Sequence, residues 1–176
     1  MKRTSLLQNY ILEDSILVMP GAHDVLTAKI VEQAGFKALT IGGYSASASL
    51  LGQPDLSFLT LTEMVDCVHR IVDVVDIPVF TDGDTGHGGV LNVRRTVRDQ
   101  VFPKRCGHML DKQVIGKEEM IAKVKAAVDA RVDDDFVIMA RTDALAVNGL
   151  EDAIERANLF SQAGADLIFV EAPTTV

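Results

Sequence analysis

Val31-Glu32-Gln33-Ala34-Gly35-Phe36 and Phe160-Ser161-Gln162-Ala163-Gly164-Ala165 follow the same plan. In each, a helix ends at Gln-Ala-Gly and an apolar run begins, Ala38 to Ile41 in the first and Leu167 to Val170 in the second. A glycine that stops a helix, followed by a strand without polar alternation, marks a βα repeat whose strand is buried on both faces. Working outward, Asp24 is the expected N-cap of a helix over Val25 to Ala34, and Ile16 to Met19 reads as a buried strand closed by Pro20-Gly21. Gly42 to Ser49 reads as a small-residue loop. Thr62 is the expected cap of a helix over Glu63 to Val75, after which Ile77-Pro78 leads into a strand through Phe80. Helices are further predicted over Lys117 to Arg131 and Leu150 to Ala163, with a strand over Phe136 to Ala140 between them.

Repeated βα units imply a parallel sheet covered by helices, either open and doubly wound or closed into a barrel. The chemistry-bearing residues Gly42-Gly43, Asp82, Arg141 and Glu171 each follow a different strand. That distribution favours the barrel, because an open sheet concentrates its site at one switch point. The 176 residues fall short of the roughly 250 of a full eightfold barrel. One place breaks the alternation: Leu91 to Arg98 starts a helix, yet Asp99 to Gly116 offers no apolar strand before the next helix opens at Lys117. Two readings stand there, a repeat without its strand and a short helix with a long functional loop.

Apolar residues make up 48% of the chain and charged residues 24%, which excludes a disordered chain or a disulfide scaffold. The formal charge of −8 repels nucleic acid phosphates and anionic lipid surfaces, so neither is an expected partner. Met1 to Tyr10 lacks the apolar core of a signal peptide, and no window approaches 18 uninterrupted apolar residues. The expectation is a cytoplasmic protein with reduced thiols.

Thr81-Asp82-Gly83-Asp84-Thr85-Gly86-His87-Gly88-Gly89 places two carboxylates one residue apart in a glycine-rich loop. Hard oxygen donors of this kind suit Mg²⁺; a solvated turn with two acids is the alternative. Pro103-Lys104-Arg105-Cys106-Gly107-His108 surrounds one thiol with cationic side chains that would raise its thiolate fraction. Cys67, at helical spacing from Met64 and Ile71, reads instead as core. Arg141, after an apolar strand, could clamp a carboxylate with its planar fork or pair structurally with Asp143. His23 and His69 are isolated and read as surface or core histidines.

Together these residues resemble the isocitrate lyase and phosphoenolpyruvate mutase superfamily. The resemblance runs through Pro20-Gly21-Ala22-His23-Asp24, Leu51-Gly52-Gln53-Pro54-Asp55, Asp82 to Gly86, Asp99-Gln100 with Lys104 to His108, Ala140 to Ala144, and Glu171-Ala172-Pro173. It implies a (β/α) TIM-type barrel that is incomplete here, with one internal strand and the C-terminal units missing, so that residues 1–176 form a single partial barrel domain. It implies Mg²⁺, with Mn²⁺ as the substitute, held directly by Asp82 and through water by Asp84 and Asp55. Tyr44, Ser45 and Gly43 are implied to receive the substrate carboxylate, with Arg141, Gly107 and Glu171 as further substrate contacts. Cys106 is implied to lie on a gating loop and to protonate the departing enolate, with Lys104 and His108 beside it and Arg141 completing the catalytic set. His87 and Gly89 replace the aromatic and Asn often found in the metal loop, and a metal-binding Glu is missing before Asp99.

The expected function is therefore an Mg²⁺-dependent C–C lyase acting on a 2-hydroxy di- or tricarboxylate, 2-methylisocitrate-like, through an enolate of a 2-oxo acid. A phosphonomutase of the carboxyphosphonoenolpyruvate type is the alternative within the superfamily. From another class, the chain could be an inactive, truncated or internally deleted fragment. The resemblance further implies a homo-tetramer of helix-exchanged dimers for a full-length chain.

Overall fold

The computed structural model describes residues 1–87, 97–101, 104–105 and 111–173. Two compact units divide the chain: Met1–Asp82 with Asp133–Phe136, and Gly83–Val132 with Val137–Val176.

The first unit contains α1 (Arg3–Leu12), α2 (Val25–Gln33), β1 (Leu39–Ile41), α3 (Gly43–Leu51), α4 (Leu61–Val72) and β2 (Val79–Thr81). β1 and β2 are parallel, with Leu39, Thr40 and Ile41 opposite Val79, Phe80 and Thr81. Their apolar side chains meet those of α2 and α4 in a core of Ala22, Ala28, Val31, Leu39, Ile41, Cys67, Ile71 and Val75. Asp24 caps α2 as expected, its carboxylate accepting from the Thr27 N–H at 2.7 Å. At the other end of α2, the Glu32 carboxylate accepts from the Asp76 and Ile77 N–H groups, tying that helix to the turn that enters β2. These hydrogen bonds, the Asp76 one foremost, hold the Glu32 pKa below its ordinary value.

Three sequence expectations in this unit are corrected, and one helix is added. Ile16 to Met19 is not a strand: Ile16 is 92% and Val18 58% exposed. Pairing begins at the turn instead, where the Pro20 carbonyl accepts from Thr40 and the Ala22 N–H donates back to Thr40. The segment Gly42 to Ser49 is mostly helix, because its Ala, Ser and Leu residues tolerate helical geometry and Gly52, at φ 63°, closes it in the left-handed region. The cap of α4 is Thr60 rather than Thr62. Only Thr60 has a Glu three residues on, and Thr60 and Glu63 exchange both hydrogen bonds of a capping box. The N-terminal segment is helical: Arg3 of α1 donates to the Val72 and Val75 carbonyls at the end of α4, 2.7 and 2.8 Å away.

The second unit contains β3 (Val97–Arg98), α5 (Lys117–Asp129), β4 (Met139–Thr142), α6 (Ala144–Asn148), α7 (Leu150–Gln162) and β5 (Leu167–Val170). The three strands form one parallel sheet in the order β3-β4-β5. Met120, Val124 and Ala127 of α5 pack with Phe160 of α7, Ile138, Ala140 and Ala165. The helix predicted over Leu91 to Arg98 gives way to strand at its end, and Leu91 to Thr96 lie outside the described residues. Val97 and Arg98 pair with Ala140 and Arg141, so this sheet has a short strand at the place where the alternation was read as broken. The strand predicted over Phe136 to Ala140 starts later, at Met139, because Phe136 closes a turn with its N–H on the Asp133 carbonyl and belongs to the first unit.

The two Gln-Ala-Gly endings are geometrically alike and sterically different. Gly164 (φ 103°) follows the C-cap Ala163; its N–H reaches the Ser161 carbonyl while Ala165 reaches Phe160, both bonds of a Schellman motif. Gly35 (φ 86°) donates to the Glu32 carbonyl in the same way. A Cβ on Gly164 would stand 3.1 Å from Val128 Cγ2, whereas one on Gly35 would meet nothing within 4 Å. Gly35→Ala is therefore expected to lose about 1 kcal/mol from backbone strain, and Gly164→Ala about 2–3 kcal/mol from strain plus the clash. Urea unfolding followed by circular dichroism measures both; equal losses would remove the steric distinction.

Candidate active site at the strand ends

In the first unit, parallel register sets the geometry. Ile41 and Thr81 are opposite one another, so Gly42 and Asp82 leave the same end of β1 and β2. The Asp82 N–H donates to the Ile41 carbonyl at 2.8 Å, extending the ladder by one bond. Asp55 is buried on the loop after α3. That loop is held by the Ser47 hydroxyl, which donates to the Pro54 carbonyl at 3.2 Å. Asp55 and Asp82 each present a carboxylate oxygen, the two within 4.8 Å of one another. Hard, charged oxygens at this spacing suit a divalent cation such as Mg²⁺.

Beside Asp82, Gly43, Tyr44 and Ser45 form the first turn of α3, with Gly42 as an extended N-cap. First-turn N–H groups have no acceptor within their own helix and carry the positive end of its dipole, which suits a carboxylate. Gly43 is buried and Tyr44 is 63% exposed, so the main chain rather than the phenol occupies the interior here. The Ser45 hydroxyl is turned back onto the Gly42 carbonyl at 3.0 Å.

In the second unit, Asp84 is buried at φ 60° and ion-paired with the fully buried Lys104. His87 Nε2 lies 4.0 Å from Asp84. The neighbouring Arg105 N–H donates to Gln100 Oε1 at 2.8 Å. Cys106, Gly107 and His108 lie outside the described residues.

Arg141 is the penultimate residue of β4 and is held on two sides. Its Nε and Nη2 each donate to an oxygen of Asp143 at 3.0 Å, and its Nη1 lies 3.0 Å from Glu171 Oε2. Its guanidinium carbon also stands 5.7 Å from the centre of the Phe169 ring. The ion pair with Asp143 is present, and Nη1 faces Glu171, just past the neighbouring strand β5. Burial alone would raise the Asp143 pKa; the Arg141 hydrogen bonds and charge, aided by Lys112 Nζ at 3.0 Å, outweigh it and hold the carboxyl below its ordinary value. Burial does raise Asp99, whose carboxylate accepts from Thr142 (2.7 Å), the Asp143 N–H (2.9 Å) and Arg156 (3.1 Å).

Lys112, Asp99 and Asp143 had no site role in the sequence reading. Asp143 enters the sequence reading only as the alternative structural partner of Arg141, and just past β4 it is that partner. Lys112 had no such signal; only the fold carries it to Asp143. Cys67 is buried core, its thiol pushed up by that burial, as its spacing predicts. His23 and His69 sit near acids of their own helix ends, Asp24 and Asp73, with more than a third of each side chain exposed.

The described residues thus form parallel α/β units with carboxylates and a helix start at the strand ends. The chain belongs to the phosphoenolpyruvate phosphomutase family, whose model matches residues 7–175. It is 50% identical over 171 residues to the 2,3-dimethylmalate lyase of Eubacterium barkeri, covering 90% of this chain and 59% of that protein. It is 48% identical over 178 residues to the chloroplastic carboxyvinyl-carboxyphosphonate phosphorylmutase of Arabidopsis thaliana, covering 92% and 52%. Among solved structures, a phosphonopyruvate hydrolase in complex with oxalate and Mg²⁺ superposes with a TM-score of 0.90 at 29% identity, over 100% of this chain and 65% of that one. The chain thus spans between 52% and 65% of the length of these relatives. Among the described residues no helix is long and apolar enough to cross a membrane.

The depressed Asp143 pKa has a definite sign. A carboxyl lowered by folding stabilises the fold above its ordinary 3.8, and that contribution is lost as pH falls through the folded value. Asp143→Asn leaves Arg141 and Lys112 with one neutral partner, and about 3 kcal/mol should be lost at pH 7. The gap from the parent chain should close as the pH is lowered below 3.8, as followed by urea midpoints across pH. A gap independent of pH would contradict the ion-pair account.

Proposed function

We propose that this chain carries the strand-end machinery of an Mg²⁺-dependent carbon–carbon lyase acting on a 2-hydroxy di- or tricarboxylate. One observation carries the reading: Asp82 and the start of α3 leave the same end of paired β1 and β2, with Asp55 close to Asp82. A cation held by these acids would sit beside backbone N–H donors, as chelation of a 2-oxo or 2-hydroxy acid requires. Asp82 and Asp55, joined by Asp84, would hold the ion. Mg²⁺, or Mn²⁺ in its place, supplies Lewis-acid charge to the oxygen that becomes a carbonyl.

The rest is assigned to this chain's own groups. The N–H groups of Gly43, Tyr44 and Ser45 receive the carboxylate of the 2-oxo product. Arg141, steadied from the Glu171 side, is assigned to receive a substrate carboxylate. The C2 hydroxyl first gives its proton to water; as the bond between C2 and C3 then breaks, the C2 alkoxide becomes a keto group and the bonding electrons leave on C3. The fragment needing a proton is therefore the departing carboxylate in its enolate form, and electron balance reassigns the negative charge expected from sequence on the 2-oxo acid. Cys106 is the proposed donor, with Lys104 and His108 as its cationic neighbours and Gly107 as a further substrate contact.

The same proposal treats residues 1–176 as part of one (β/α) barrel domain that assembles as a homo-oligomer in the cytoplasm. The names of the relatives support the reaction class: one is a lyase of a 2-hydroxy dicarboxylate, and another was solved with oxalate and Mg²⁺.

Incubating the chain with Mg²⁺ and 2,3-dimethylmalate or 2-methylisocitrate, with pyruvate release coupled to lactate dehydrogenase, is expected to give turnover. Asp82→Ala should abolish it and should weaken Mg²⁺ binding in calorimetry by about a hundredfold. Phosphonate rearrangement seen by ³¹P NMR without pyruvate release would favour the mutase instead. Mg²⁺ binding with neither reaction would favour an inactive fragment.

A further inference from the structure

The buried Lys112 has no part in the proposed chemistry, although its position is costly. Its side chain is 3% exposed and that of Asp143 0%. Withdrawing a long cationic side chain from water costs several kcal/mol and a good deal of rotamer entropy, which an ion pair often fails to recover as stability. Buried pairs of this kind are best attested as devices that fix a geometry.

The geometry in question is that of Arg141. Asp143 Oδ2 takes the Arg141 Nε, while Oδ1 takes both the Arg141 Nη2 and the Lys112 Nζ, all at 3.0 Å. The Asp143 backbone is held by its N–H on Asp99 Oδ1. Rotation of the carboxylate would break these bonds, and Lys112 opposes it with a further charged hydrogen bond on Oδ1. Lys112 is itself placed by the chain around it: the Val101 N–H donates to the Gln113 carbonyl and Gln100 bridges antiparallel to Val114. The segments 99–101 and 113–115 are thus stitched together beside Lys112.

We propose that Lys112 is a positioning residue, which pins the Asp143 carboxylate so that its two oxygens fix the plane of the Arg141 guanidinium and present the Nη1 edge, now on Glu171, to a carboxylate ligand. This rests on the proposed function only in taking Arg141 as a carboxylate-binding group. Lys112 touches no substrate; it acts through Asp143.

The test uses the full chain and oxalate as the probe, with Mg²⁺ affinity and oxalate affinity at saturating Mg²⁺ measured separately by calorimetry. Lys112→Met keeps the stem and removes the charge. It should weaken oxalate binding by about tenfold to a hundredfold and leave Mg²⁺ binding unchanged, and Lys112→Arg should restore most of the loss. If Lys112→Met fails to fold, the double variant Lys112→Met with Asp143→Asn removes both charges together and should show the same selective loss. Either folded variant binding oxalate as tightly as the parent would overturn the proposal, as would parallel loss of Mg²⁺ and oxalate binding. Failure of the parent chain to bind oxalate while it still binds Mg²⁺ would instead overturn the carboxylate reading of the site, and the role of Lys112 with it.

Discussion

The parallel register of β1 and β2, extended by the hydrogen bond from the Asp82 N–H to the Ile41 carbonyl, is the constraint on which the first unit turns. Parallel strands leave their C-terminal ends on one edge, so whatever follows each strand is brought together without any loop having to be long. Here a helix start follows one strand and a carboxylate the other. A shift of one residue in that register would put Asp82 beside a strand carbonyl and the Thr81 hydroxyl at the edge. The buried Leu39 and Ile41 oppose such a slip, because it would turn both out of the core.

The second unit solves a different problem, that of keeping charges in an interior. Asp99, Asp143 and Glu171 are buried together with Arg156 and Lys112, and Arg141 is largely covered. Each acid there has a named cationic partner or an N–H donor. The balance is uneven: Asp143 is held below its ordinary pKa and Asp99 above. Asp99 therefore takes a cost at neutral pH, where Asp143 contributes stability, and it uses its two oxygens to join the end of β3 to the end of β4 and to α7. The apolar layer of Met120, Val124 and Phe160 lies beneath this arrangement and supplies the burial that such a cluster does not.

Much of the architecture was legible from local chemistry. The Asp24 cap, the glycine after each Gln-Ala, and the strands at Leu39–Ile41 and Leu167–Val170 all follow from signals confined to a few residues. Where two local signals competed, the nearer one misled: Thr62 lies closer to the apolar periodicity of α4, yet Thr60 has the Glu at the right spacing. Ile16 to Met19 is as apolar as a buried strand, but burial depends on partners that composition does not reveal. Asp82 and Arg141 could be singled out as residues at strand ends. The contact between Asp55 and Asp82 and the reach of Lys112 to Asp143 join residues 27 and 31 positions apart, and no local pattern encodes such a meeting.

The exposed Tyr44 side chain has a consequence for substitution. At the start of α3 the groups turned toward a prospective anion belong to the backbone, while the phenol projects outward with 63% of its surface in solvent. Recognition written in the main chain survives replacement of the side chain that decorates it. Replacing Tyr44 would therefore leave these backbone donors where they are, so the outer surface at the start of α3 and its main-chain N–H groups can vary independently.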